Sequence, residues 1–316
     1  MSPSSSAILG SLVADSATLG LHWLYDPVRI AEIEGVRGLV FLSPEPSDYQ
    51  ETKGYFAHSG KSGGDSSGYG ETCLLMLKHL SKHGTFNRIG YQTEYRSYFG
   101  PGGSYVGYVD SPTRITLNTL LSLDPTEFPA ESGADDDQFA ALAALPPLVS
   151  THKGTLDELM ERINELVRIT NHNDQAVAAA QCSSAVLFGV LRGTPIHQAL
   201  SESLSFADNR LRALLEESLT YSSLDSIGVS ERFGRACHVH EGLPVVFHIA
   251  HHAKDYRTAI EANIRAGGDS CGRSIMLGAI VAADRTNQGG SDSPIPLDWL
   301  SRYRNLSVST EALSSL

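Results

Sequence analysis

An all-α fold is predicted by two patterns along the chain and one feature of its cysteines. Apolar residues recur at helical spacing in nearly every long segment, and no stretch alternates with period two for long enough to build a sheet. The four cysteines, Cys73, Cys182, Cys237 and Cys271, are scattered and include no C-x-x-C, so neither a disulfide framework nor a zinc knuckle is expected to organise the chain. At 316 residues the chain is near the upper size for one hydrophobic core, and a single domain over residues 1–316 is the expectation.

The elements follow in order. Residues 7–20 place Ile8, Leu9, Leu12, Val13 and Leu19 at helical spacing, while the apolar run 39–42 is short and isolated. Residues 43–68 and 98–113, rich in Gly, Ser and Tyr, and the acidic stretch 125–137 read as long loops of the kind that carry function. Helices are expected over 73–80 and 138–145. Thr155 and Glu158 form a capping box for a helix carrying Leu156, Leu159, Ile163, Leu166 and Val167. Asp174 is placed to cap a small-residue helix over 176–191 that stops at Gly193. Thr194 and Pro195 open the next helix, and Pro244 is expected in the same first-turn role for 245–253. Asp255 caps 256–266, Gly267 and Gly268 end that helix, and Asp269 begins another with Ile275, Met276, Ala279, Ile280 and Ala283 as its buried stripe. A flexible loop is expected near 286–294, and no internal repeat of 20 to 50 residues is present.

Composition narrows the function classes. With 41% hydrophobic and 19% charged residues the chain can bury a core. Its net charge of -12, from 24 basic and 36 acidic residues, repels nucleic-acid backbones and anionic lipid, so neither is an expected partner. No apolar run approaching the roughly 18 residues of a membrane span is read from the sequence. The opening Met1-Ser2-Pro3-Ser4-Ser5-Ser6 lacks the basic and apolar regions of a secretory signal, and the scattered cysteines fit a reducing, cytoplasmic setting.

Some motifs carry little. Ser59-Gly60-Lys61-Ser62 resembles the end of a phosphate loop, but Tyr55 stands where the required glycine belongs, so a flexible surface loop is expected. Gly100-Pro101-Gly102 lacks both the third glycine and a preceding strand of a dinucleotide fingerprint. His238, His240, His248, His251 and His252 gather in sequence, and His248 and His252 have the i, i+4 spacing of metal ligands; surface or part-buried helix histidines are the blander account.

Three segments carry more. Asp135, Asp136 and Asp137 repel one another, which suits either a solvated cap for the following helix or contact with a ligand or cation. Tyr69-Gly70-Glu71-Thr72 and Gly267-Gly268-Asp269-Ser270-Cys271 each bring polar oxygens to a helix N-terminus, where free N–H groups favour anions. The paired glycines before Asp269 allow backbone and ligand to approach closely.

In this order the segments resemble the ADP-ribosylglycohydrolase family over most of the chain. Residues 8–15 and Leu21-His22-Trp23-Leu24-Tyr25-Asp26 are similar to its opening helix and turn. Residues 69–76 fall at its Thr-Asp-Asp-Thr segment, 133–147 at its substrate loop, and 267–283 at its Gly-Gly-Asp-x-Asp-Thr segment. The resemblance implies a single orthogonal helical bundle with a pair of magnesium ions and an ADP-ribose-like ligand. It also implies Glu71 and Asp269 as catalytic and metal-binding residues, and Tyr69, Asp15, Asp26 and Asp135 to Asp137 as substrate contacts. Tyr69, Gly70, Cys271 and Gly272 depart from the ligand set, leaving only Glu71 and Asp269 as carboxylates, so the magnesium site is expected to be depleted to one ion or none; a thiol is a poor ligand for a hard cation. The pattern Tyr-Gly-Glu, Gly-Ala-Asp-Asp-Asp-Gln and Gly-Gly-Asp-Ser-Cys looks closer to a divergent branch of the family that is similar to the J-type crystallins. Three functions remain open: a hydrolase of a ribosyl or related glycosidic bond, a crystallin-like or binding protein without catalysis, and thiol chemistry at Cys271 with its pKa lowered beside Arg273.

Overall fold

The computed structural model describes residues 1–289 and 293–316. Sixteen α-helices are present among them: α1 (Pro3–Thr18), α2 (Pro27–Arg37), α3 (Gly68–His83), α4 (Arg88–Phe99), α5 (Ser111–Leu120), α6 (Leu145–Thr151), α7 (Leu156–Thr170), α8 (Asp174–Leu191), α9 (Ile196–Ser203), α10 (Asn209–Thr220), α11 (Ser226–Phe233), α12 (Val239–His252), α13 (Tyr256–Arg265), α14 (Ser270–Asn287), α15 (Leu297–Arg302) and α16 (Leu306–Ser314). No strand occurs among the described residues, only isolated bridges such as Gln138 to His238. The all-α expectation holds.

The centre is the pair α1 and α14, with α3, α6, α8, α12 and α13 packed around it. Their close approach rests on small residues. A Cβ on Gly10 would stand 2.5 Å from the Gly278 carbonyl oxygen, and one on Gly278 would stand 2.4 Å from that of Gly10. The two backbones therefore touch, and both helices are buried along nearly their whole lengths.

Capping places most boundaries where side-chain chemistry demands. Thr155 and Glu158 form the reciprocal capping box of α7, and Asp255 caps α13 through the Thr258 amide. At α8 the cap is Asn173 rather than Asp174, because the Asn173 side chain accepts from both Gln175 and Ala176 amides. Pro244 lies inside α12, not at its start. The helix begins at Val239 because Val239 N–H bonds to the Asp137 carbonyl, and Glu241 and Gly242 N–H bond to that of His238. By length and composition α8 does reach the apolar span of a membrane crossing, contrary to the sequence reading; 67% of that window is buried inside the fold. The expected flexible loop near 286–294 is helical through Asn287, and residues 290–292 of it lie outside the described residues.

Candidate functional site

Asp269 organises the site. Gly267 (φ +74°) and Gly268 (φ +70°) make the left-handed turn that delivers it, and a Cβ on Gly268 would meet the Arg235 carbonyl oxygen at 2.0 Å. The turn is held from below by the buried Arg273, which donates to the Gly267 carbonyl and to Asn263. Burial lowers the Arg273 pKa to about 10. Asp269 itself is completely buried and caps α14 by accepting from Gly272 N–H at 3.0 Å.

Both carboxylate oxygens of Asp269 are occupied by donors. His22 Nε2 lies 2.9 Å from Oδ1, and the Tyr69 hydroxyl donates to Oδ2 at 3.3 Å. An ionised carboxylate only accepts, so His22 carries its proton on Nε2. His22 Nδ1 then accepts from His58 Nε2, 2.6 Å away. His58 is buried under Trp23, whose ring stacks on it at 17° and whose backbone is in the left-handed region at φ 61°. Burial depresses the His58 pKa well below the usual histidine value.

Glu71 and Asp15 form a second group. Tyr69 points to Asp269, so Glu71, two residues on and roughly 200° around α3, faces elsewhere. It accepts from the Tyr98 hydroxyl at 2.7 Å. Among the described residues no hydrogen bond and no shared partner joins Glu71 to Asp269. Asp15, fully buried on α1, accepts from Ser67 N–H at 2.8 Å and from the Ser67 hydroxyl. Burial raises its pKa to about 7 despite those bonds.

The acidic run divides among separate donors, which is how three adjacent carboxylates coexist. Asp135 is exposed and accepts from Asn173. Asp136 accepts from the Gln138 backbone and side chain, and its pKa is raised mainly by burial. Asp137 binds His238 Nδ1 at 2.5 Å and His240 Nδ1 at 3.0 Å. Burial pushes its pKa up, but the two imidazoles outweigh that and hold it below the ordinary value. Asp26 caps α2 and accepts from Thr52, near the surface, with its pKa lowered chiefly by the Thr52 bond.

Cys271 corrects an expectation. It is completely buried beside the Thr18 hydroxyl at 3.3 Å, and burial drives its pKa well above the ordinary thiol value. The helix N-terminus and Arg273 do not activate it, because Arg273 is committed to Asn263 and Gly267. Asp110 caps α5 through the Thr113 amide; its pKa is raised mainly by burial with a contribution from Asp269, and burial together with Asp269, Asp136 and Asp110 raises that of Cys237. The sequence reading missed Asp110, His58 and Tyr98; Tyr98, expected in a loop over 98–113, lies in the last turn of α4 instead, and the Gly, Ser and Tyr content of 43–68 and 98–113 was the only available signal.

The family's paired magnesium ions do not fit this donor set. A Cβ on Gly70 would lie 2.0 Å from Asp15 Oδ2, so the Asp15 carboxylate fills the volume a ligand side chain there would need. On Gly272 it would lie 2.4 Å from Asp269 Oδ2 and 2.8 Å from Phe139 Cβ. Magnesium needs hard oxygens free to converge, whereas here hydrogen-bond donors already face those of Asp269 and Asp15. A groove of 1160 Å³ lies at the opposite ends of α1 and α3, between Ser5, Leu80, Phe86 and Arg162, and is lined by none of these groups.

An all-helical fold carrying these segments in this order is that of an ADP-ribosylglycohydrolase-type protein. The ADP-ribosylglycohydrolase family model matches residues 5–316, and the chain belongs to that family. Crystallin J1A of Tripedalia cystophora is 30% identical over 314 residues, covering 94% of this chain and 90% of that protein. Crystallin J1B of the same animal is 29% identical over 321 residues, with the same coverage. A solved structure described as an ADP-ribosylglycohydrolase-related protein complex superposes with a TM-score of 0.74 at 17% identity, over 99% of this chain and 96% of that one.

Proposed function

We propose that the chain is a hydrolase-like protein that holds an ADP-ribosyl or related ribosyl ligand in the cleft around Asp269, with the magnesium site depleted. The observation that carries this reading is the convergence of Tyr69 and Asp269 from two helix N-termini, 200 residues apart, with Asp269 near enough to raise the pKa of Asp110, and Asp110 near enough to raise that of Asp136. In this reading Asp269 orients the ligand through Tyr69 and His22, Glu71 and Asp15 support the start of α3, and the loop bearing Asp136 and Asp137 closes over the ligand. Asp26 and Asp135 contribute at the rim. A reducing, cytoplasmic setting belongs to the same proposal and is supported by four free cysteines.

Thermal unfolding with ADP-ribose tests it. At 100 times its dissociation constant the ligand stabilises by about 2.7 kcal/mol. At about 2.1 cal/mol/K per residue that is a rise of about 4 °C for a chain of 316 residues. Asp269→Asn should lose the shift while still folding. The second reading is a crystallin-like protein without catalysis, favoured by the similarity to crystallins J1A and J1B. No shift at millimolar ADP-ribose, in the wild type, would select it.

A further inference from the structure

Histidines that bind a metal need a lone pair on the outward nitrogen, and the partner of the other nitrogen decides where that lone pair lies. Judged this way, the two carboxylate-linked histidine clusters outside the Asp269 site differ sharply. In the cluster of His79, His83 and Glu94 the ligand atoms lie within 4.8 Å of one another. Yet Asn87 N–H donates to His79 Nε2 at 3.1 Å, which places the His79 proton on Nδ1, facing Glu94 at 2.7 Å. The nitrogen that would have to ligate is therefore the protonated one. The Lys82 ammonium, 2.9 Å from the same carboxylate, already supplies a cation.

His238 and His240 have the opposite arrangement. Their Nδ1 atoms rest on the two oxygens of one carboxylate, Asp137, at 2.5 Å and 3.0 Å. Because the carboxylate only accepts, each ring in its neutral form is held as the Nδ1–H tautomer, which leaves the lone pair on Nε2. Neither Nε2 makes a hydrogen bond among the described residues. The side chains are 43% and 24% exposed, while Asp137 beneath them is 14% exposed. The pair is also built in: Val239 N–H binds the Asp137 carbonyl, and Phe139 N–H binds that of Cys237, so the acidic loop and the start of α12 are laced together. Asp136 and Glu241 add negative charge near His238, favouring a cation.

We propose that His238 and His240 form a binding site for a divalent transition ion of the zinc class, with Asp137 as the outer carboxylate that orients both ligands. Imidazole suits zinc, nickel, cobalt and copper, whereas magnesium prefers oxygen. The ring centroids are 5.6 Å apart at 28°. An ion shared by both rings draws them together about their Asp137 contacts, and water completes its coordination. Its ligating atoms are distinct from Asp269 and from the positions of the family's magnesium ligands, while Asp137 lies on the loop assigned above to the ligand site.

Titration of the full chain with zinc, by calorimetry and by thermal unfolding, tests the assignment, with cobalt absorption reporting nitrogen coordination. One ion per chain is expected. His238→Ala and His240→Ala should each weaken binding at least tenfold, and the double variant should abolish it. Asp137→Asn, which keeps both rings but removes the orienting carboxylate, should cost about 10- to 100-fold. His83→Ala should leave zinc binding unchanged. Far-UV circular dichroism establishes that each variant is folded. Absence of zinc binding in the folded wild type would overturn the proposal, as would full binding in the double variant or loss of binding in Cys237→Ser alone.

Discussion

Replacing Asp15 by asparagine should stabilise this protein, and increasingly so as pH rises. Asp15 is 0% exposed and accepts from the Ser67 amide and hydroxyl. Asparagine keeps the shape: its oxygen accepts from the amide, and its NH2 donates to the Ser67 hydroxyl oxygen. What disappears is the charge. In the fold the Asp15 pKa is raised by burial from 3.8 to about 7, so the native state holds a proton that the unfolded chain has released across that interval. Stability falls with pH wherever the native state binds more protons. The contribution is therefore fully present below about pH 4 and lost as pH rises to 7. At 1.36 kcal/mol per pH unit the loss amounts to about 4 kcal/mol.

Urea denaturation of wild type and Asp15→Asn, at intervals from pH 4 to 8, isolates the effect. The difference should be near zero at pH 4 and grow to about 4 kcal/mol in favour of the variant above pH 7, or about 6 °C in melting temperature. Taking the difference removes the other carboxylates, including Glu94, whose pKa of about 2 acts in the opposite sense. A difference that stays constant across the range, or a variant less stable at every pH, would refute the buried-proton argument.

Two further outcomes are expected. Gly278→Ala should destabilise by about 1–3 kcal/mol, since its Cβ would press on the Gly10 carbonyl and force α1 and α14 apart; an unchanged melting temperature would contradict the packing described. In the native protein Cys271 should resist alkylation, with Cys237, the only cysteine not fully buried, modified first; mass spectrometry showing early labelling of Cys271 would reopen thiol chemistry there.

Sequence alone determined the helical class, because apolar period and capping chemistry are local. The capping box at Thr155, the Asp255 and Asp269 caps and the glycine pair before Asp269 depend on neighbours within four residues. It also marked the segments at 69–71, 133–138 and 267–271, because clustered polar residues before a helix are visible in one dimension. The failures have a common cause. Pro244 read as a helix start because proline suits the first turn, but α12 begins earlier through a bond to Asp137, more than a hundred residues away. The small-residue stretch 174–191 does not read as an apolar run of membrane-span length, because its alanines are each only weakly apolar and its burial comes from packing.

Only the tertiary structure decided which oxygens remain free. Sequence counted carboxylates and left Glu71 and Asp269 as a residual metal pair, whereas helix phase turns Glu71 toward Tyr98 and long-range donors from His22 and Tyr69 occupy Asp269. It also decided that Asp15 fills the space beside Gly70, and that the partners of His238 and His240 leave their Nε2 atoms unbonded among the described residues while that of His79 is taken. Whether a side chain is a ligand, a cap or a base depends on desolvation and on groups brought across the chain. Those are properties of the packed interior, with no signature in local spacing.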